Sequence, residues 1–378
     1  MINISDKSMC CGCSACQSVC PKNCISLKSD KEGFCYPNID FDKCIDCHLC
    51  EKTCPVINKE PENIPLNTYA ALNENPKIRE NSSSGGIFYL LAEKIIEKGG
   101  LVFGAKYNEK WDVIIDYTDK IDGVYQFMGS KYVQANPLDS YKKVRLFLEE
   151  EKIVLFSGTP CQIAGLRRFL HREYDNLFLV DIICHGVPSP LFWQKYIKEV
   201  KSKNGNQEIT KINFRDKIIG WKNFSMMFHF NNSTSCYTPF PQDRYMFLFL
   251  KNYILRPSCY NCAAKSGKSR SDITIGDFWG IQKIKPEIDD DLGISAVLTN
   301  TTKGEYLLSN LKAKLYQVQY KDILAGNPML QKSVVKPAKR QMIFRKKHKS
   351  IKYLMDYASE NTISFKLRRK LRSILRRI

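Results

Sequence analysis

The chain has 378 residues, 43% hydrophobic and 26% charged, proportions that predict two or three globular domains and exclude a mainly disordered protein. Its formal net charge is +19, yet residues 336–378 hold 15 Lys and Arg against Asp356 and Glu360, a net +13 that leaves +6 for the first 335 residues. The basicity belongs to a tail, so a whole-chain nucleic-acid binder is excluded and no nucleic-acid partner is expected.

The chain opens on Met1–Asp6, a polar stretch without a signal-peptide pattern. It contains no apolar run of about 18 residues that could span a bilayer. A cytoplasmic protein is expected, and in that compartment the 16 cysteines read as metal ligands rather than disulfides. Eleven of them fall in the first 54 residues, where one spacing occurs twice: Cys10-x2-Cys13-x2-Cys16-x3-Cys20-Pro21 and Cys44-x2-Cys47-x2-Cys50-x3-Cys54-Pro55. This is the bacterial ferredoxin run, in which three cysteines of one motif and the fourth of the other hold each 4Fe–4S cluster. The spacing assigns Cys10, Cys13, Cys16 and Cys54 to cluster one, and Cys20, Cys44, Cys47 and Cys50 to cluster two. Zinc ribbons also use CxxC pairs, but zinc has no use for a doubled four-cysteine run ending in Cys-Pro. Cys11, Cys24 and Cys35 are left over and read as small buried hydrophobes.

Residues 61–67 read as a linker, in a stretch with prolines at 55, 61 and 65. Ser82-Ser83-Ser84-Gly85-Gly86 then precedes a helical pattern through Ile87, Leu90, Leu91, Ile95 and Ile96, and Leu101–Tyr107 reads as a strand. A Ser-Gly turn before a helix is an anion-site pattern, though serine caps are common. From residue 153 the pattern is strand, helix, strand, helix: Ile153–Phe156, Cys161–His171, Leu177–Ile183 and Leu191–Lys201. That order predicts a parallel α/β sheet with ligands at the carboxyl ends of its strands. Cys161 and Cys184 each follow such an end. With Cys259-x2-Cys262, in a loop containing Lys265, Lys268 and Arg270, they supply the four thiols of a third cluster. Two structural cysteines beside a small CxxC site fit the spacing equally well.

Five ordered motifs, Ser83-Ser84-Gly85-Gly86, Gly158-Thr159-Pro160-Cys161-Gln162, Cys184-His185-Gly186, Arg256-Pro257-Ser258-Cys259 and Gly276-Asp277-Phe278-Trp279, resemble the family of beta subunits of coenzyme F-420-reducing hydrogenases and F-420-linked dehydrogenases. The resemblance covers residues 68 to about 335, behind a ferredoxin module. It implies an α/β domain binding FAD and one iron–sulfur cluster. FAD would then contact Ser83, Ser84, Gly85, Gly86, Thr159 and Gln162. Arg215 and Lys217 would neutralise its pyrophosphate or an acidic deazaflavin tail, unless they form a solvated pair with Asp216. Asp277 would bind a ribose or flavin group or cap a turn. His185 would relay a proton to the flavin or hold a backbone carbonyl.

The expected fold is multidomain, α+β and α/β: a small ferredoxin-like module (1–60), the linker, and an α/β flavin-binding domain in two parts (68–150 and 151–335), followed by a basic helical tail (336–378). Within the tail, apolar positions at 367, 371, 374, 375 and 378 interleave with seven basic residues between 366 and 377. This amphipathic helix, with Ser364 as its cap, reads as an anchor to an anionic membrane surface at the inner face of the membrane, or as a helix packed on its own domain. The function read from the sequence is an iron–sulfur flavoprotein oxidoreductase. Electrons pass between ferredoxin-type clusters and FAD, with hydride exchange to coenzyme F-420 or another small substrate and a ferredoxin or other redox protein as partner. An electron-transfer subunit of a hydrogenase or formate dehydrogenase complex is the first alternative; a non-catalytic iron–sulfur sensor or scaffold is the second.

Overall fold

The computed structural model describes residues 1–360, so the expected membrane-binding helix at 364–378 lies outside the described residues. The first module pairs β1 (Ile25–Ser29) with β2 (Cys35–Ile39) as an antiparallel hairpin. Each four-cysteine run folds into a loop and a short helix, Ala15–Val19 in one and Leu49–Lys52 in the other. The two loops repeat in their backbone as well as in sequence. Gly12 and Ser14 have φ of 73° and 66°, and their counterparts Asp46 and His48 have φ of 50° and 57°. Two left-handed residues per loop curl three cysteines toward one centre.

A large mixed sheet follows. Its strands are β3 (Asn67–Asn73), β4 (Leu101–Tyr107), β5 (Val113–Thr118), β6 (Val154–Gly158), β7 (Leu177–Ile182), β11 (Ile273–Asp277), β12 (Ser295–Thr299) and β13 (Ala313–Gln317), in the spatial order β13-β3-β12-β11-β7-β6-β4-β5. The central four, β11, β7, β6 and β4, are mutually parallel, so their carboxyl ends meet along one edge. Alternate side chains feed opposite faces. Leu155 of β6 packs under the helix Ile87–Glu97, while Val154 and Phe156 pack under Ser140–Glu149 and Pro160–Leu170. Burial on both faces explains the nearly unbroken apolar runs of these strands.

The remaining strands, β8 (Ile209–Asp216), β9 (Ser225–Phe230) and β10 (Ser235–Pro239), form a separate antiparallel sheet. It shares an aromatic core with the helices Pro190–Lys203 and Arg244–Leu250 and with Phe34 and Tyr36 of the first module. The linker lies along the body: Asn63 N donates to Ser266 O at 2.9 Å and Leu66 N to Thr299 O at 2.7 Å. The start of the basic tail is also packed down. Arg340 is buried, donates to Leu255 O and pairs with Glu32 at 2.7 Å. Among the described residues no helix is long and apolar enough to cross a membrane.

Candidate functional site

The corner between β6 and the helix Pro160–Leu170 divides two cavities. Thr159 caps this helix and Pro160 takes its first position, where a proline's missing N–H costs nothing. Gln162 Oε1 folds back to accept from Thr159 N at 2.9 Å and Thr159 Oγ1 at 3.0 Å. Thr159 and Gln162 face one cavity and Cys161 the other, with Thr159 Oγ1 only 3.3 Å from Cys161 Sγ.

The cavity on the Cys161 side, about 360 Å³, is also lined by Cys184, Cys259, Cys262, Cys11 and His185. The four thiols expected together line one cavity, and Cys11, which also packs against the core as expected, lines it with them. Val187 N donates to Cys259 Sγ at 3.4 Å. Burial pushes the Cys184 thiol up to about 12 against the opposing pull of Lys265, and raises Cys259 as well. Thiols held that high are poor nucleophiles and become thiolates by exchanging protons for metal. Among the described residues no three His, Cys, Asp or Glu side chains stand close enough to share one ion. Four thiols on one cavity form a donor set that would hold a 4Fe–4S cluster. Lys265 Nζ lies 2.5 Å from Cys184 O and Lys268 also lines the cavity, but Arg270 turns away to Asn63 Oδ1 at 3.1 Å.

In the first module, Cys20, Cys44, Cys47 and Cys50 surround one small void together with Cys24, whose Sγ is 3.2 Å from Cys20 Sγ. Burial raises the Cys16 thiol, with Cys10 and Cys54 close enough to add to it; burial and nearby Cys10 likewise raise Cys54, and Cys16 and Cys54 lie close enough to help raise Cys13. Cys47 is exposed and Cys13 buried, so one group faces outward and the other inward. Arg256 joins the inner group to the large cavity. Fully buried, it donates to Cys10 O at 2.7 Å, Cys35 O at 2.9 Å and Gln134 Oε1 at 3.0 Å, three residues before Cys259.

The cavity on the Thr159 side, about 260 Å³, opens at the carboxyl ends of the parallel strands. Ala105, Ile115, Val180, Ile182 and Ile275 give it an apolar floor, and Ser83, Ser84, Gly86, Lys131, Thr159, Gln162 and Asp277 a polar wall. An apolar floor with polar groups along one side is a lining that would accommodate an aromatic ring such as a flavin's.

Several of the expected roles change. Gly85 does not line this cavity: a Cβ there would meet Ala71 O at 2.5 Å and Ser295 N at 2.7 Å, so its glycine serves sheet packing rather than FAD approach. Arg215 pairs with Asp277 at 2.6 Å, not with Asp216, and is buried rather than solvated. The other Asp277 oxygen accepts from Trp221 Nε1 at 3.0 Å, which makes Asp277 more than a turn cap. Lys217 is tied to Arg79 O, Ser84 O and Leu292 O at 2.5, 3.1 and 2.6 Å; it holds the serine loop instead of a pyrophosphate. His185 lies in the thiol cavity, not in the flavin-shaped one. Its Nε2 meets Asn252 Oδ1 at 2.7 Å, a side-chain rather than a backbone partner, and burial lowers its pKa. A proton relay to a flavin does not fit that place. The sequence gives Cys11 only a packing role and Arg256 only a place in a motif, and leaves Lys131 unmarked; a lone lysine in Gly129-Ser130-Lys131 was the available signal for the last.

Residues 151–322 match the family described as the C terminus of the coenzyme F420 hydrogenase/dehydrogenase beta subunit. Residues 9–58 match the 4Fe–4S dicluster domain, so the chain carries an iron–sulfur module ahead of that segment. The chain is 26% identical over 219 residues to the F subunit of the F(420)H(2) dehydrogenase of Methanosarcina mazei, covering 56% of this chain and 60% of that protein. It is 25% identical over 204 residues to an uncharacterized protein of Methanocaldococcus jannaschii, covering 46% and 56%. The chain thus spans under two thirds of the length of either relative. Among solved structures it is similar to a chain of the F420-reducing NiFe hydrogenase complex of Methanosarcina barkeri, with 15% identity, a TM-score of 0.46, and coverage of 80% of this chain and 93% of that one.

Proposed function

We propose that the chain is an iron–sulfur flavoprotein oxidoreductase that moves electrons from an outer 4Fe–4S site, through an inner one and a third, to FAD. The observation that carries the reading is the β6 corner, where one turn puts Cys161 in a thiol-lined cavity and Thr159 in a flavin-shaped one. When bound, the clusters carry single electrons and the flavin pairs two of them with a proton for hydride exchange.

The residues have separable roles. Cys20, Cys44, Cys47 and Cys50 hold the outer site, where exposed Cys47 leaves the shortest path to a ferredoxin-type partner. Cys10, Cys13, Cys16 and Cys54 hold the inner site, and Cys161, Cys184, Cys259 and Cys262 the third. Arg256 fixes the distance between the last two, and Lys265 offsets thiolate charge at the third. Ser83, Ser84, Gly86, Thr159 and Gln162 orient the flavin, while the Arg215–Asp277 pair closes one side of its cavity. Coenzyme F-420 or another small substrate takes the hydride on this reading.

A second reading, an electron-transfer component that works only inside a larger complex, is favoured by the relative named as part of a dehydrogenase. Turnover of F-420 by the isolated chain would rule it out. The main reading is tested by anaerobic iron and flavin analysis: about twelve irons, four per cluster, and one FAD per chain support it. Stoichiometric zinc, or a chain that takes no flavin, would overturn it.

A further inference from the structure

The flavin-shaped cavity contains one ammonium group that no neighbouring charge balances. Lys131 lines the cavity, and its Nζ lies 3.3, 3.0 and 3.1 Å from the carbonyl oxygens of Phe127, Met128 and Gly129. The loop wraps its own lysine and supplies no carboxylate. The other ionisable groups around it are accounted for. Asp277 and Arg215 neutralise each other. The Tyr132 hydroxyl takes Arg215 Nη1 at 3.3 Å. The Tyr107 ring lies under the ammonium, 5.7 Å away, with its hydroxyl buried and unpartnered. Whenever Lys131 carries its proton, the cavity thus holds one uncompensated positive charge in a poorly solvated place.

We infer that Lys131 is the counter-charge of this cavity, holding the negative charge that reduction adds to a bound flavin. The inference rests on the flavin reading above. Two electrons from the cluster chain and one proton leave the ring with one added negative charge. An ammonium already fixed beside it lowers the energy of that state far more than water-exposed charge would. Burial brings the Lys131 pKa down to about 7. Above that pH the oxidised protein holds a neutral amine, and reduction draws a second proton from solvent onto Nζ. The couple then takes up two protons for two electrons.

The test is the flavin reduction potential of the full, cofactor-loaded chain from about pH 6 to about pH 9, either side of the lysine's value near 7, in wild type, K131Q and K131M. Gln keeps donors for the loop carbonyls and removes the charge; Met removes both. The expected result is a shift of about tenfold toward the oxidised flavin in either variant, about 30 mV for a two-electron couple. The variants should also lose the second proton that the wild type takes up above about pH 7. If both variants shed their flavin, the wild-type pH dependence decides alone, and one proton per two electrons throughout would overturn the inference. Variants that bind flavin at an unchanged potential would overturn the role of Lys131 and leave the flavin reading standing. A wild-type chain that takes no flavin would overturn both.

Discussion

Arg256 shows how much one side chain can organise. Three part-buried acceptors, Cys10 O, Cys35 O and Gln134 Oε1, depend on its guanidinium, and its plane lies over Tyr36 at 4.3 Å. Arg256→Met keeps the length and orphans all three, at about 1–3 kcal/mol each. Denaturant unfolding of the loaded protein should show a loss above about 3 kcal/mol; a loss below about 1 kcal/mol would mean that the joint is held by something else. Cys259→Ser has a different signature. Iron should fall from about twelve to about eight per chain, one cubane's worth, with flavin retained; unchanged iron would remove the third cluster. His185 bears on acid stability. Unfolded, it takes up a proton near its ordinary pKa of about 6.5, whereas burial lowers its pKa in the folded chain. The stability it allows is present above about pH 6.5 and declines as the pH falls below that value. His185→Gln should flatten this acid limb of the unfolding free energy, and an unchanged limb would assign the loss to other groups.

At the scale of elements, the helix Pro160–Leu170 connects the cavities to the first module. Its approach to the inner cysteine loop depends on Gly165, where a Cβ would meet Cys13 Sγ at 2.9 Å. Gly165→Ala should push the helix off that loop, cost about 1–3 kcal/mol as overpacking, and speed loss of iron from the inner site alone. Iron release at the wild-type rate would show that the loop yields without harm. This helix was legible in the sequence because its signals are local: a Thr cap, Pro at the first turn and an apolar face. So were three of the four parallel strands, β4, β6 and β7, and the two cysteine runs. Gly85 was misread because a sequence shows where a glycine is needed but not which atoms it avoids, here Ala71 O and Ser295 N. Arg215 and Arg256 were opaque for a related reason. Their partners Asp277 and Cys10 lie 62 and 246 residues away, and only the folded chain brings them together.

Across the whole molecule, the fold places three groups of thiols and the cavity on the Thr159 side in succession. The outer cysteines face solvent at Cys47, the inner ones pack against the helix Pro160–Leu170, and the third group shares a single turn with the flavin side. On the proposed reading, electron transfer along this line needs every station, whereas binding of the individual cofactors does not. The most direct measurement follows flavin absorbance after anaerobic mixing of the loaded chain with reduced ferredoxin, in wild type and in Cys184→Ser. Wild-type flavin should be reduced promptly. In the variant the ferredoxin-type clusters should be reduced while the flavin stays oxidised over the same time. Equal flavin reduction in both proteins would contradict the path through the third group of thiols.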